Sequence, residues 1–116
     1  MAITNTFGYL TALRPPNTDE AQLYSVPAGT EINAVLRIVN QSPSGATVRQ
    51  ANVYHCPAGH GDVAGDAKHR ICYFIEVGRT PIEISIHAGP TETIRVKSLT
   101  AEEVSFHLSG QKKVVS

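Results

Sequence analysis

Apolar and polar positions alternate with period two along most of this chain, the signature of half-buried β-strands. The clearest run is Val104, Phe106 and Leu108, alternating with Ser105, His107 and Ser109 and closed by Gly110. Ile82, Ile84 and Ile86 alternate with Glu83, Ser85 and His87; Ile94 and Val96 alternate with Thr93, Arg95 and Lys97. Between Glu31 and Asn40, the side chains of Ile32, Ala34, Leu36 and Ile38 share one face. Ile71, Tyr73, Ile75 and Val77 line one side of a further run whose other side, Cys72, Phe74 and Glu76, is mostly apolar too. That pattern predicts a strand buried on both faces. Thr47 to Cys56, Phe7 to Leu13 and Ala21 to Val26 bring the expected total to about eight strands.

The runs are separated by residues that reverse a chain for definite reasons. Pro27-Ala28-Gly29, the segment from Gln41 to Gly45, and Ala88-Gly89-Pro90 supply fixed or positive φ. Thr100-Ala101-Glu102-Glu103 fits a capping box, but a period-two run follows at once, so a turn is expected there. Short strands at roughly ten-residue spacing predict an all-β, single-domain β-sandwich or jelly roll. Arg14 to Glu20 is a polar, proline-bearing connection. Residues 1–20 are therefore expected to form an N-terminal arm and linker, with the sandwich in residues 21–116. Pro57 to Lys68 reads as a long aperiodic loop, the kind of segment that often contacts partners.

The order of these pieces is informative. Leu23-Tyr24-Ser25-Val26-Pro27-Ala28-Gly29 leads into a strand ending at Asn40. Further on come Pro81 to Ile86, the turn at Gly89-Pro90, Ile94-Arg95-Val96, and a last strand ending in Ser109-Gly110. The arrangement resembles a group of small tailed-bacteriophage virion proteins over roughly residues 21 to 110. Two departures stand out: Thr91-Glu92-Thr93 occupies the place of that group's Gly-Asp, and the histidine- and cysteine-bearing loop is not a feature of the group. The resemblance implies a non-enzymatic virion structural protein without a cofactor, above all a capsid decoration or cement protein on the outer capsid lattice. Its implied partners are the major capsid protein or other virion proteins, and copies of itself, with a trimer favoured. A tail, neck or baseplate component is the alternative within the same class. A carbohydrate-binding β-sandwich module is the alternative outside it, disfavoured because the chain has no Trp and few other aromatic residues.

Charge narrows the partners. Among 116 residues, ten Lys and Arg balance ten Asp and Glu, and the basic residues form no run. A nucleic-acid binder usually shows a basic stripe, because phosphate neutralisation drives its affinity. Met1 to Leu10 lacks the basic and apolar regions of a signal peptide, and no apolar stretch approaches the ~20 residues that span a bilayer. The expectation is a chain made in the host cytoplasm and incorporated into a virion, binding neither nucleic acid nor membrane.

One region holds candidate chemistry: His55, Cys56, His60, Asp62, Asp66, His69 and Cys72. Cys56, His60, His69 and Cys72 could in principle supply four zinc ligands, although a zinc site normally draws its cysteines from a tighter spacing. The same two cysteines could instead form a Cys56–Cys72 disulfide, constraining the unfolded chain by about 3 kcal/mol, or remain packed free thiols. Asp62 and Asp66 lack the ligand order of a calcium loop and read as solvated turn residues. His87 and His107 fall on the polar faces of their strands. No nucleophile elbow or phosphate-binding loop is present, so no catalytic residue is assigned.

Overall fold

The computed structural model describes residues 3–43, 47–57 and 70–115. These residues form eight strands: β1 (Ile3–Leu13), β2 (Ala21–Ser25), β3 (Thr30–Asn40), β4 (Arg49–Cys56), β5 (Arg70–Val77), β6 (Ile82–Ala88), β7 (Thr93–Ser98) and β8 (Val104–Val115). No helix occurs among the described residues. The strands make two four-stranded antiparallel sheets, ordered β1-β8-β3-β6 and β2-β7-β4-β5. Every connection except that from β4 to β5 crosses from one sheet to the other, and the last strand lies between the first and the third. This order is that of an eight-stranded jelly roll, an architecture shared by viral capsid and lectin domains.

Alternation explains which face of each strand is buried. Ile32, Ala34, Leu36 and Ile38 of β3, Val104, Phe106 and Leu108 of β8, and Ile86 and Ala88 of β6 point into the sandwich. They meet Leu23, Ala51, Val53, Val77, Ile94 and Val96 of the other sheet. Phe106, Leu36 and Ile38 are completely buried, and burying each such side chain contributes about 1.5–3 kcal/mol before entropy is subtracted. Gly110 has a structural reason. Its φ is +149°, and a Cβ there would sit 2.6 Å from both the Ala34 Cα and the Asn33 carbonyl oxygen. Only glycine lets β3 and β8 approach at that point.

Three expectations are corrected. Of the expected arm over residues 1–20, the described part, residues 3–20, does not stand apart from the sandwich, because β1 pairs with β8 from Ile3↔Val115 to Leu13↔Phe106. Glu20 also pairs with Arg95, and Arg14 Nε donates to the Glu102 carbonyl. The last strand does not end at Gly110; it continues to Val115, held between β1 and β3. Finally, β5 is an edge strand, not one buried on both faces. Its pairing with β4 shifts between Ala51↔Ile75 and Val53↔Cys72, a bulge at which Phe74 adopts φ +50°. The bulge reverses the alternation, so that Cys72, Ile75 and Val77 face the core while Ile71 and Phe74 are exposed.

Candidate interaction surface

The register fixes what the outer face of the β1-β8-β3-β6 sheet displays. Read across the strands, one row is Phe7–Gln111–Asn33–His87 and the next is Tyr9–Ser109–Val35–Ser85. Below them run Asn5–Lys113–Glu31 and the pair Ile3–Val115; above them lies Ala12–His107–Arg37–Glu83. The face is polar toward β6 and apolar toward β1. Phe7 is 79% exposed, Tyr9 67% and Ile3 55%. Tyr9 leans on His107, with ring centroids 5.4 Å apart. A shallow depression lined by Glu31, Asn33, His87, Gln111 and Lys113 lies beside this apolar margin.

The apolar margin is unusual because no described residue covers it from either side. Every residue from Ile3 to Tyr9 is exposed, including Thr4, Thr6 and Gly8, whose side of the strand faces inward farther along. Burial begins at Leu10, where a register shift between Tyr9 and Thr11 turns Leu10 and Leu13 toward the core. The sheet thus overhangs its partner at the corner formed by the start of β1 and the end of β8, within a molecule measuring 50 × 29 × 20 Å.

The residues expected to hold chemistry are dispersed. Cys56 is completely buried in a small cluster with Tyr54, separate from the main core. Cys72 lies opposite Val53, three positions along β4 from Cys56 and against the main core. The two cysteines therefore stand three positions apart in register and in different clusters. Burial pushes the Cys72 thiol pKa up, which disfavours the reactive thiolate. His60 and His69, the other two zinc candidates, lie outside the described residues, as do Asp62 and Asp66. Among the described residues, no three His, Cys, Asp or Glu side chains converge as metal ligands.

A polar arrangement that sequence spacing does not reveal lies at the β6–β7 turn. Glu92 Oε1 accepts the Gly89 amide at 2.9 Å and lies 2.7 Å from His55 Nε2. The Glu92 carboxyl is held below its ordinary range, first by the Gly89 hydrogen bond and then by His55 and His87, against the opposing pull of partial burial. The adjoining backbone bonds Val26 N–H to Glu92 O and Thr91 N–H to Val26 O tie β2 to this turn. His55 and Glu92 are 37 residues apart, so only the β4–β7 pairing brings them together. The arrangement fastens a corner of the sandwich.

No protein-family model matches the sequence, and no curated protein matches it. Among solved structures, the chain is similar to one from the acidic stable capsid of Helicobacter pylori bacteriophage KHP30, at 15% identity and TM-score 0.45, covering 99% of this chain and 95% of that one. It is similar to the CBM36-1 domain of a multidomain xylanase from the hindgut metagenome of Trinervitermes trinervoides, at 14% identity and TM-score 0.38, covering 99% and 98%. It is also similar to a chain of infectious bursal disease virus Gx strain, at 11% identity and TM-score 0.41, covering 97% of this chain and 28% of that one. With each of these TM-scores under 0.5, the likenesses assign no function.

Proposed function

We propose that this chain is a non-enzymatic virion structural protein that decorates a phage head. It binds the major capsid protein through the outer face of the β1-β8-β3-β6 sheet. The observation that carries this reading is the uncovered apolar margin of Ile3, Phe7 and Tyr9 on a strand without a single charged residue. A side chain such as Phe7, left four-fifths in water, is stabilised by a protein surface that covers it. The sequence resemblance to small tailed-phage virion proteins and the jelly-roll architecture support the same reading. In this role the protein acts by burial: each copy adds contacts across a capsid joint, and repeated weak contacts become strong together. Tail, neck or baseplate attachment uses the same surface on a different partner.

Immunogold labelling of intact phage particles with antibody against this chain tests the assignment. Gold over the head supports decoration, gold confined to the tail or neck replaces it with the adaptor role, and unlabelled particles overturn the virion assignment.

One observation favours a second reading. Phe7 and Tyr9 share cross-strand rows with Gln111, Asn33 and Ser109, and exposed rings beside amides and hydroxyls suit a sugar ring stacked on an aromatic face. Titration with xylan, cellulose and bacterial surface glycans tests it. Binding lost on Tyr9→Ala would establish that reading, and absence of binding to all of these glycans would remove it.

A further inference from the structure

We infer that the edge of β1, unpaired among the described residues, pairs with β1 of a second copy, antiparallel and about a twofold axis at Thr6, joining two sandwiches through one continuous eight-stranded sheet. This deepens the decoration reading, on which the use of the dimer rests, by naming the occupant of the strand's edge.

An unpaired edge strand presents a row of amide and carbonyl groups to any other strand, and proteins normally blunt such edges by shortness, charge or bulges. Three of the four edges here are blunted. β2 has five residues and a register shift, β6 carries Glu83 and His87, and β5 is kinked by its bulge at Phe74. β1 has none of these devices between Ile3 and Tyr9. It runs in regular register with β8 there, and it contains no proline and no charge along its full length. An edge left open in this way is built for strand addition, the recognition mode in which main-chain bonds supply affinity and alternate side chains supply specificity.

The sequence of the edge selects a second copy. About Thr6, antiparallel pairing sets Ile3 against Tyr9 of the second copy, Thr4 against Gly8, Asn5 against Phe7, and Thr6 against Thr6. All seven uncovered residues are used, and the ladder stops where the shift at Leu10 begins. Parity is preserved, so Ile3, Phe7 and Tyr9 of both copies gather on the outer side, where aromatic and aliphatic cross-strand pairs are stabilising. The threonines meet on the other side. No like charges oppose each other within the ladder, and the chain's zero net charge adds little repulsion between copies. Leu10 and Leu13, which pack against the core, lie at opposite ends of the ladder in the two copies, which separates the two cores. Because the axis is perpendicular to the sheet, both outer faces point the same way, so the pair presents two capsid-binding faces to one surface. The contact is twofold, whereas the sequence resemblance favours a trimer.

Analytical ultracentrifugation of the full chain at about 100 μM, where contacts of micromolar strength are saturated, should give a dimer. Thr6→Lys should give a monomer with unchanged circular dichroism. Thr6→Cys should form an intermolecular disulfide under mild oxidation, because the residue faces its own copy across the axis, while Thr11→Cys and the unaltered chain should not. A monomeric wild-type chain would overturn the inference, as would a dimer indifferent to Thr6→Lys or equal cross-linking through Thr11→Cys. Should Thr6→Lys fail to fold, the comparison of the two cysteine variants decides alone. The virion assignment is read separately by particle labelling: labelled heads with a monomeric chain would sink this inference only, and unlabelled particles with a dimeric chain would sink that assignment only.

Discussion

At the scale of single residues, two positions show how little of the fold's specificity lies in hydrophobicity. Gly110 reads in sequence as the end of a strand, since glycine commonly marks a turn. In the fold it is mid-strand, kept free of a side chain because the β3 backbone passes within 2.6 Å of where a Cβ would be. Gly110→Ala should therefore destabilise the protein by about 3 kcal/mol, measured as the shift in urea midpoint, since backbone and not a flexible side chain would have to move. Gly8, opposite it on β1, has open space where a Cβ would go, though its φ is +132°. Glu92 is the second case. Its pKa is lowered in the folded state, so its contribution to stability is present above the ordinary carboxylate pKa and is lost as pH falls through the depressed one. Glu92→Gln should lower stability at pH 7 by about 1 kcal/mol, the scale of a partly exposed charge-assisted bond. The loss should shrink toward zero in strong acid, where the native carboxyl is protonated. Chemical denaturation at several pH values reads the difference, and a constant gap between the two proteins would contradict the assigned cause.

At the scale of elements, alternation makes most strands legible in the sequence, and it fails where a strand departs from strict period two. β3, β6 and the first half of β8 follow the sequence pattern because one face of each packs on the core. In β5 the bulge inserts a residue, and a fixed-period reading then assigns Cys72 to the wrong face. The device that holds the bulge is Asn52, whose Oδ1 accepts the Phe74 amide at 2.7 Å across 22 residues of sequence. Asn52→Ala should cost about 2 kcal/mol by removing that acceptor from the bulge. It should also hasten labelling of Cys72 by a thiol reagent, while Cys56, at 0% exposure, stays protected until global unfolding. The start of β1 is equally hard to read, because Ile3 to Thr6 stays exposed on both faces and hydrophobic patterning has no purchase on it. Truncation separates the strand's two halves. Removing residues 1–7 should leave the melting temperature within a few degrees of wild type, by about the shift expected for 1 kcal/mol. Removing residues 1–13 should lower it far more, since Leu10 and Leu13 leave the core and β8 loses a paired neighbour.

At the scale of the whole molecule, the candidate site is legible in neither composition nor motif, because it consists of what the fold leaves uncovered. Phe7 and Tyr9 fall in sequence within the segment expected to stand apart as an arm; only the strand order, which puts β1 at an edge with its first seven residues exposed, makes them the margin of a sheet face. The histidine and cysteine cluster, by contrast, stands out in sequence, yet the two cysteines end up three positions out of register and in separate clusters. The proposed decoration role carries an expectation about the force of attachment. With ten charges of each sign in the chain and none on the proposed contact strand, that role would draw its binding energy from apolar burial, which salt does not screen. Binding to phage heads that lack the protein should therefore change by less than about threefold between 50 and 500 mM NaCl, a range in which phosphate-driven binding falls by about a thousandfold or more. Phe7→Ser, which removes the most exposed ring without adding charge, should weaken the same binding by about tenfold or more, in line with the loss of a buried aromatic anchor. A steep salt dependence with an indifferent Phe7→Ser variant would move the contact from this strand to the charged margin of Glu31, Arg37 and Lys113, and the apolar mode of attachment would have to be abandoned.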